Sequence, residues 1–385
     1  MSLYFDANAT TPLLPEAREA WLAAVDEHWQ NPSSPSRASA RVHVLLEQSR
    51  TKIADRFGVS AESVVFNSGA TEGNRDVLAY MRRIAAPGQQ LAQSAIEHPS
   101  VRENAQEIWS DDALELPVDE QGRISLEYLD ETLALGKFAL VSLMAANNET
   151  GVVQPWREAI DLCHRRRVAI HVDATQWVGK EPLAGLGSAD FVTVSGHKFG
   201  GPKGAGFLIV APAFSGFAGQ RGGAQEHDHR AGTENYPAVA AMMVALKVSD
   251  DLLRGDAIQA CCGRDAFEAK LLANIEGLQI WGQGAPRLAN TSSLCLPGHE
   301  NSRWVRLLEQ RGFVVSTGSA CATGKAGPSH VLAAMGISPE CALQTVRVSS
   351  LRRTVAADWD LLAKAFIDLS ENGGSATANS QVISI

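Results

Sequence analysis

The sequence predicts an α/β protein: a large domain with a mostly parallel mixed sheet sandwiched by helices, then a smaller α+β domain. Short apolar runs alternate with helical stretches from about residue 15 onward. Strands buried on both faces read as such continuous apolar runs. After about residue 250 the texture changes to long helical stretches with fewer, separated strands. A chain of 385 residues is also too long for one ordinary core. The division expected is 14–250 for the large domain, and 251–385 joined by 1–13 for the small one.

Pro15 opens a helix expected to reach about Trp29, with proline at a favoured first-turn position. Asn31-Pro-Ser-Ser-Pro-Ser36 breaks it, and a second helix runs to Phe57. The apolar run Val64–Phe66 and the small-residue loop Ser68-Gly69-Ala70-Thr71 precede a helix ending near Arg83. Strands are expected at Leu91–Gln93, Ala139–Met144, Val168–Asp173, Phe191–Ser195 and Gly206–Val210, with a helix at Trp156–Arg166. The basic run His164–Arg167 then falls at a helix C-terminus, where it complements the helix dipole. The tail from Asn372 to Gln381, rich in small and polar residues, reads as flexible.

The formal net charge of −9 argues against nucleic acid as the main partner, since phosphate binding wants clustered Lys and Arg. No export signal and no membrane-spanning apolar run is read, so a cytoplasmic setting is expected. The six cysteines have neither Cys-x-x-Cys nor disulfide-framework spacing, so reduced thiols follow, each a small core residue or a reactive group.

Ligands of such sheets bind at the carboxyl ends of the strands. Three segments there are suggestive together: His171-Val-Asp173-Ala-Thr-Gln176, Ser195-Gly-His197-Lys198, and Gly69-Ala70-Thr71 at a helix start. Each alone has a plain structural explanation as a helix cap, a solvated lysine or a common turn. Together they offer what pyridoxal 5′-phosphate (PLP) needs: an amine for its aldehyde, an acid for its ring nitrogen and donors for its phosphate. Lys198 is the amine, Asp173 the acid. Thr71 and the backbone from Ala70 cradle the phosphate, with Ser195 and His197 adding contacts.

With these residues in view the chain resembles the cysteine desulfurases of the NifS/IscS type, within the class V aminotransferases of PLP fold type I. The motifs that match are Asp6–Pro12, Ser68–Glu72, Glu97–Val101, Asn147–Gly151, His171–Gln176, Ser195–Lys198, Arg230–Asn235 and Ser316–Cys321, in family order. The resemblance implies that His98 stacks on the PLP ring and helps move protons. It also implies that Asn148 and Gln176 contact the cofactor's phenolic oxygen and the substrate, and that Arg347 grips the substrate carboxylate. Without it, His98 reads as a core histidine and Arg347 as a surface ion pair. Thr233 is implied to reach the phosphate of a neighbouring subunit, hence a homodimer with shared sites.

Cys321 lies in a run of small residues from Thr317 to Pro328, where no packing role explains a thiol, and Lys325 nearby favours thiolate. The other five cysteines, Cys163, Cys261, Cys262, Cys295 and Cys341, sit in apolar or helical contexts and read as core. The resemblance implies that Lys198 takes the substrate α-proton, that Cys321 attacks the sulfur of L-cysteine, and that alanine leaves while a persulfide remains. A sulfur-acceptor protein, such as an iron–sulfur scaffold, is then the next partner; tRNA thiolation, other cofactors and DNA modification are alternatives. The chain departs from the family after Ser34, at Gly327, and in His227-Asp228-His229, which crowd a glycine-rich stretch. Alternatives in function are selenocysteine lyase, another class V enzyme such as an aminotransferase or epimerase, or a non-catalytic PLP-fold subunit.

Overall fold

The computed structural model describes residues 2–318 and 329–372, with backbone alone for 254–261 and 372. In chain order the elements are β1 (Leu3–Tyr4), α1 (Pro15–Glu27), α2 (Arg37–Phe57), β2 (Val64–Asn67), α3 (Ala70–Ile84), β3 (Gln90–Ser94), α4 (Pro99–Trp109) and β4 (Ala113–Leu116). They continue with α5 (Leu126–Leu135), β5 (Phe138–Met144), α6 (Trp156–Arg166), β6 (Ala169–Asp173), β7 (Phe191–Ser195), β8 (Gly206–Val210) and α7 (Tyr236–Asn274). The last are β9 (Gln279–Ile280), β10 (Thr291–Cys295), α8 (Asn301–Gln310), β11 (Phe313–Val314), α9 (His330–Ala334), α10 (Pro339–Leu343), β12 (Thr345–Ser349) and α11 (Ala356–Asn372).

Seven strands form the main sheet in the order β2-β8-β7-β6-β5-β3-β4. All neighbours from β7 to β4 are parallel, while β8 runs antiparallel to both β7 and β2. Strands β5, β7 and β8 are buried at every position, the expected signature of a sheet covered on both faces. Beyond it, β12-β10-β9 form an antiparallel sheet and β1 pairs with β11. One apolar cluster packs α1, α2, α6 and the start of α7 on the main sheet. Another joins Phe5, Phe267, Trp304, Trp359 and Phe366 around the small sheet. Helix α7, at 39 residues, runs unbroken through residue 250 and contributes to both clusters.

The crowded stretch before Arg230 has a specific solution. Glu226, His227 and Asp228 all take left-handed backbone, with φ of 51°, 55° and 67°. Few non-glycine residues do so, and three in a row need an anchor. Glu226 supplies it: its buried carboxylate takes Arg50 Nη1 at 2.7 Å and the Phe66 amide at 2.7 Å. Arg230, just beyond, is paired with Glu72 at 2.8 Å. The segment leading to Thr233 is thereby tied to α2, β2 and α3.

Candidate active site

The carboxyl ends of β5, β6 and β7, the start of α3 and the β12 strand surround one cavity of about 800 Å³. Ala70, Thr71, His98, Asn148, Asp173, Gln176, Ser195, His197, Lys198 and Arg347 all line it. Thr233 is exposed and outside its wall. Cys321 and Lys325 lie outside the described residues, as does the tail beyond Asn372. Gly318, three positions before Cys321, is on the wall.

Lys198 follows β7 on a short 3-10 turn, and its Nζ donates to the carbonyls of Asn8 at 2.7 Å and Ala9 at 2.9 Å. Asp173 ends β6 and is buried. Its Oδ1 accepts the Thr175 amide at 3.0 Å and its Oδ2 accepts Asn74 Nδ2 at 2.9 Å. Asn74 also donates to Ser100 Oγ at 2.9 Å and accepts from Thr193 Oγ1 at 2.6 Å. Ser100 Oγ lies 2.8 Å from His98 Nδ1, so one buried chain of hydrogen bonds joins the acid to the imidazole. His98 Nδ1 accepts the Ser100 amide at 3.1 Å, which puts the neutral ring's proton on Nε2. Burial depresses the His98 pKa most, with Lys198 acting the same way against the carboxylate of Asp173. A neutral imidazole is the result near pH 7.

Whether the cavity suits PLP can be judged from its donors. Helix α3 starts on Gly69 with no side-chain cap, and its first-turn amides precede the first helical bond, Gly73 to Gly69, at 3.1 Å. A helix N-terminus of this kind attracts phosphate. Gly69 has φ of 135°, and a Cβ there would come within 3.1 Å of Ser195 Oγ, so the backbone can pass close to a ligand. Thr175 Oγ1 and Arg347 Nε are buried on the cavity wall with no hydrogen-bond partner among the described residues. A phosphate cradle, a buried acid, an accessible amine and unpaired donors fit a phosphorylated aromatic aldehyde and a carboxylate.

Arg347 is an ion pair, but a buried one rather than the surface pair that sequence alone allows. The residue is 1 % exposed, and Nη2 donates to Asp6 Oδ1 at 2.6 Å. Its Nη1 donates to the carbonyls of Asn148 at 3.1 Å and Gly318 at 3.0 Å. The cysteine readings also need one correction. Cys163 and Cys295 are buried, with thiols pushed up by burial to about 12, as core residues would be. Cys262 on α7 is exposed and Cys341 partly so, because each sits on the outer side of its helix rather than in the core.

Sequence reasoning missed the residue that organises one wall. Asn8 Oδ1 accepts Lys180 Nζ at 2.7 Å, and its Nδ2 donates to the Asn148 carbonyl at 3.1 Å. Its carbonyl accepts Gln176 Nε2 at 2.9 Å as well as Lys198. Burial pushes the Lys180 amine well below the ordinary range, and Lys198, Arg347 and Arg352 push it the same way. The Asp6–Pro12 motif holds Asn8, but nothing in its spacing says that one asparagine serves two lysines.

The site makes the fold acid-sensitive. Burial first of all, then Lys198 and Lys203, holds His197 at about 4 against 6.5. Burial does the same to His171, also at about 4, against the opposing pull of Asp173. The unfolded chain therefore binds protons between pH 6.5 and 4 that the folded chain does not. Stability present at neutral pH is lost across that window, on the order of 1–3 kcal/mol for buried His171 and less for His197, which solvent partly screens. Asp76, raised by burial to about 6, works in the opposite sense between 3.8 and 6. Burial pushes the carboxyls of Glu97 and Glu149 up in the same sense as Asp76, so the expected result is read as a difference: from pH 6.5 to 4 the urea midpoint of His171→Gln should lose less than that of the wild type. An unchanged slope in that variant would contradict the assignment.

The comparisons agree with the geometry. The family model for class-V aminotransferases matches residues 3–362. A cysteine desulfurase of Cereibacter sphaeroides is 36 % identical over 368 residues, spanning 94 % of this chain and 93 % of that one. A NifS-like protein of known structure superposes with a TM-score of 0.88 at 28 % identity, covering 96 % of this chain and 100 % of the other. SspA, solved in complex with cysteine, gives 0.78 at 26 % identity over 92 % of this chain and 100 % of its own. The fold is the α/β fold of the NifS-like structures, a mixed, mostly parallel seven-stranded sheet with flanking helices. The chain belongs to the aminotransferase class-V family, and within it to the NifS/IscS type.

Proposed function

We propose that the protein is a PLP-dependent cysteine desulfurase that converts L-cysteine to L-alanine and takes up the sulfur on Cys321. The observation that carries this reading is the convergence of Lys198, Asp173, His98 and Arg347 on one cavity whose wall includes Gly318, at the threshold of the Cys321 segment. An aminotransferase has no use for a thiol there.

Lys198 would hold the cofactor's aldehyde, Asp173 its ring nitrogen, and Ala70, Thr71, Ser195 and His197 its phosphate. Bound in this way, PLP supplies an electron sink for the bonds at the substrate α-carbon. His98, neutral and fixed by Ser100, presents a ring face and an Nε2 proton. Asn148 and Gln176 line the substrate side. Lys198 would also be the base that takes the substrate α-proton. Cys321 as thiolate attacks the substrate sulfur: the S–S bond forms as the C–S bond breaks, and the electron pair of the latter passes to the alanine carbon skeleton. Exposed Thr233 is offered to the cavity of a second copy in a homodimer. The persulfide then passes to an acceptor protein, with the iron–sulfur scaffolds as the leading class. With no described helix long and apolar enough to cross a membrane and with unpaired cysteines, we place this chemistry in the cytoplasm.

The test is incubation of the purified protein with L-cysteine and a reducing thiol. Alanine and sulfide should appear in equal amounts. Amino-group exchange with a keto acid, and no alanine without one, would identify an aminotransferase instead. The carboxylate contact has its own test. Arg347→Ala should weaken cysteine binding by about 30- to 1,000-fold, the worth of roughly 2–4 kcal/mol in charge-assisted bonds, with PLP still bound. Unchanged cysteine affinity would refute the role.

A further inference from the structure

The turn Asn147–Gly151 carries a carboxylate that none of the roles above uses. Glu149 is 4 % exposed, and burial pushes its pKa up while Ser329 and Arg347 pull it down. Burying a carboxylate is costly unless it is hydrogen-bonded, so its partners indicate what it is for. The turn itself is rigid: Asn147 Oδ1 accepts the amides of Glu149 at 2.8 Å and Thr150 at 3.0 Å. From it, Glu149 Oε2 accepts Ser329 Oγ at 2.6 Å. A Cβ built on Gly318 would stand 3.4 Å from the same oxygen.

Gly318 and Ser329 are the described residues on either side of the segment that carries Cys321. Two consecutive residues of the turn address them. Asn148 shares Arg347 Nη1 with the Gly318 carbonyl, and Glu149 holds Ser329. Ser329 also caps α9 through the Leu332 amide at 3.2 Å, and α9 is packed by Val331 and Leu332 against Ile96 and Met144. The serine is therefore a fixed point, and the carboxylate ties that point to the cavity wall.

We propose that Glu149 is a positioning residue for sulfur transfer, fixing the root of the Cys321 segment at Ser329 so that the thiol is presented to the substrate sulfur. This rests on the desulfurase reading and predicts which step suffers. Steps before sulfur transfer use Lys198, Asp173, His98 and Arg347; Glu149 lines the same cavity and lies in the field of Arg347, so the Ser329 variants, which leave that charge in place, isolate the sulfur-transfer step. Sulfur transfer needs the thiol in line, where an error near 1 Å costs up to about a hundredfold.

The experiment uses the full-length holoenzyme as wild type, Glu149→Ala, Ser329→Ala, the double variant and Ser329→Thr. The rapid cofactor absorbance change on mixing with cysteine should keep its rate in both Ser329 variants, where every charge lining the cavity is retained. Alanine release from cysteine should fall about ten- to a hundredfold in each alanine variant and be restored in Ser329→Thr. The double variant should lose no more than the worse single one, because both cut the same hydrogen bond. Selenocysteine, whose selenium departs without thiolate attack, should be turned over by Ser329→Ala at near the wild-type rate. Equal loss of the absorbance step and alanine release in Ser329→Ala, additive losses, or undiminished alanine release would each overturn the proposal. A wild type that made no alanine from cysteine would fail at the earlier level, taking the desulfurase reading with it.

Discussion

Lys198→Ala should abolish turnover, with alanine formation falling by at least about a thousandfold. On the proposed reading one side chain has two duties, holding the cofactor's aldehyde and moving the substrate α-proton, and general-base catalysis alone is worth about a hundred- to ten-thousandfold. The position explains both. Lys198 leaves β7 on a short turn, with its amine beside the carbonyls of Asn8 and Ala9 at 2.7 and 2.9 Å. The wild type should be yellow, and borohydride should bleach it and fix the cofactor to one peptide. Retention of the label on Lys203, which also lines the cavity, would sink the assignment.

Cys321→Ala should be nearly as severe, and selectively so. The side chains that would hold PLP are untouched, so the variant should stay yellow, bind cysteine and show the early absorbance change. Release of alanine and sulfide should drop on the order of a thousandfold, the scale of losing the nucleophile of a covalent step. Activity kept only towards selenocysteine would move the lyase reading ahead. Full cysteine desulfurase activity in this variant would disprove the persulfide route. The described thiols offer no ready substitute in the core, since Cys163 and Cys295 hold their protons to about 12.

The residues readable in advance were those whose position along the chain already implies their place in space. Asp173, Lys198 and Thr71 follow apolar strands or open a helix, and the carboxyl ends of strands in such a sheet face one side. Asn8, Asn74, Lys180 and Glu149 were not given roles, because each acts across the fold. Asn74 lies mid-helix in α3 and meets Asp173, 99 residues away, only when α3 packs on the sheet. Strand β4 escaped notice because it sits at the sheet edge, where Glu115 is exposed and the apolar run is broken. The antiparallel direction of β8 is likewise invisible locally, since buried parallel and antiparallel strands share one apolar pattern. The continuity of α7 through residue 250 shows why a change of texture is a poor guide to where a helix ends.

The central claim is that sulfur leaves cysteine and rests on Cys321. Wild-type protein should be mixed briefly with L-cysteine, quenched with a thiol-alkylating probe and digested without reductant. Mass spectrometry of the Cys321 peptide should then find one additional sulfur atom between the residue and the probe, absent when cysteine is omitted. Alanine formed with the extra sulfur on exposed Cys262, or with none on any cysteine, would contradict the account.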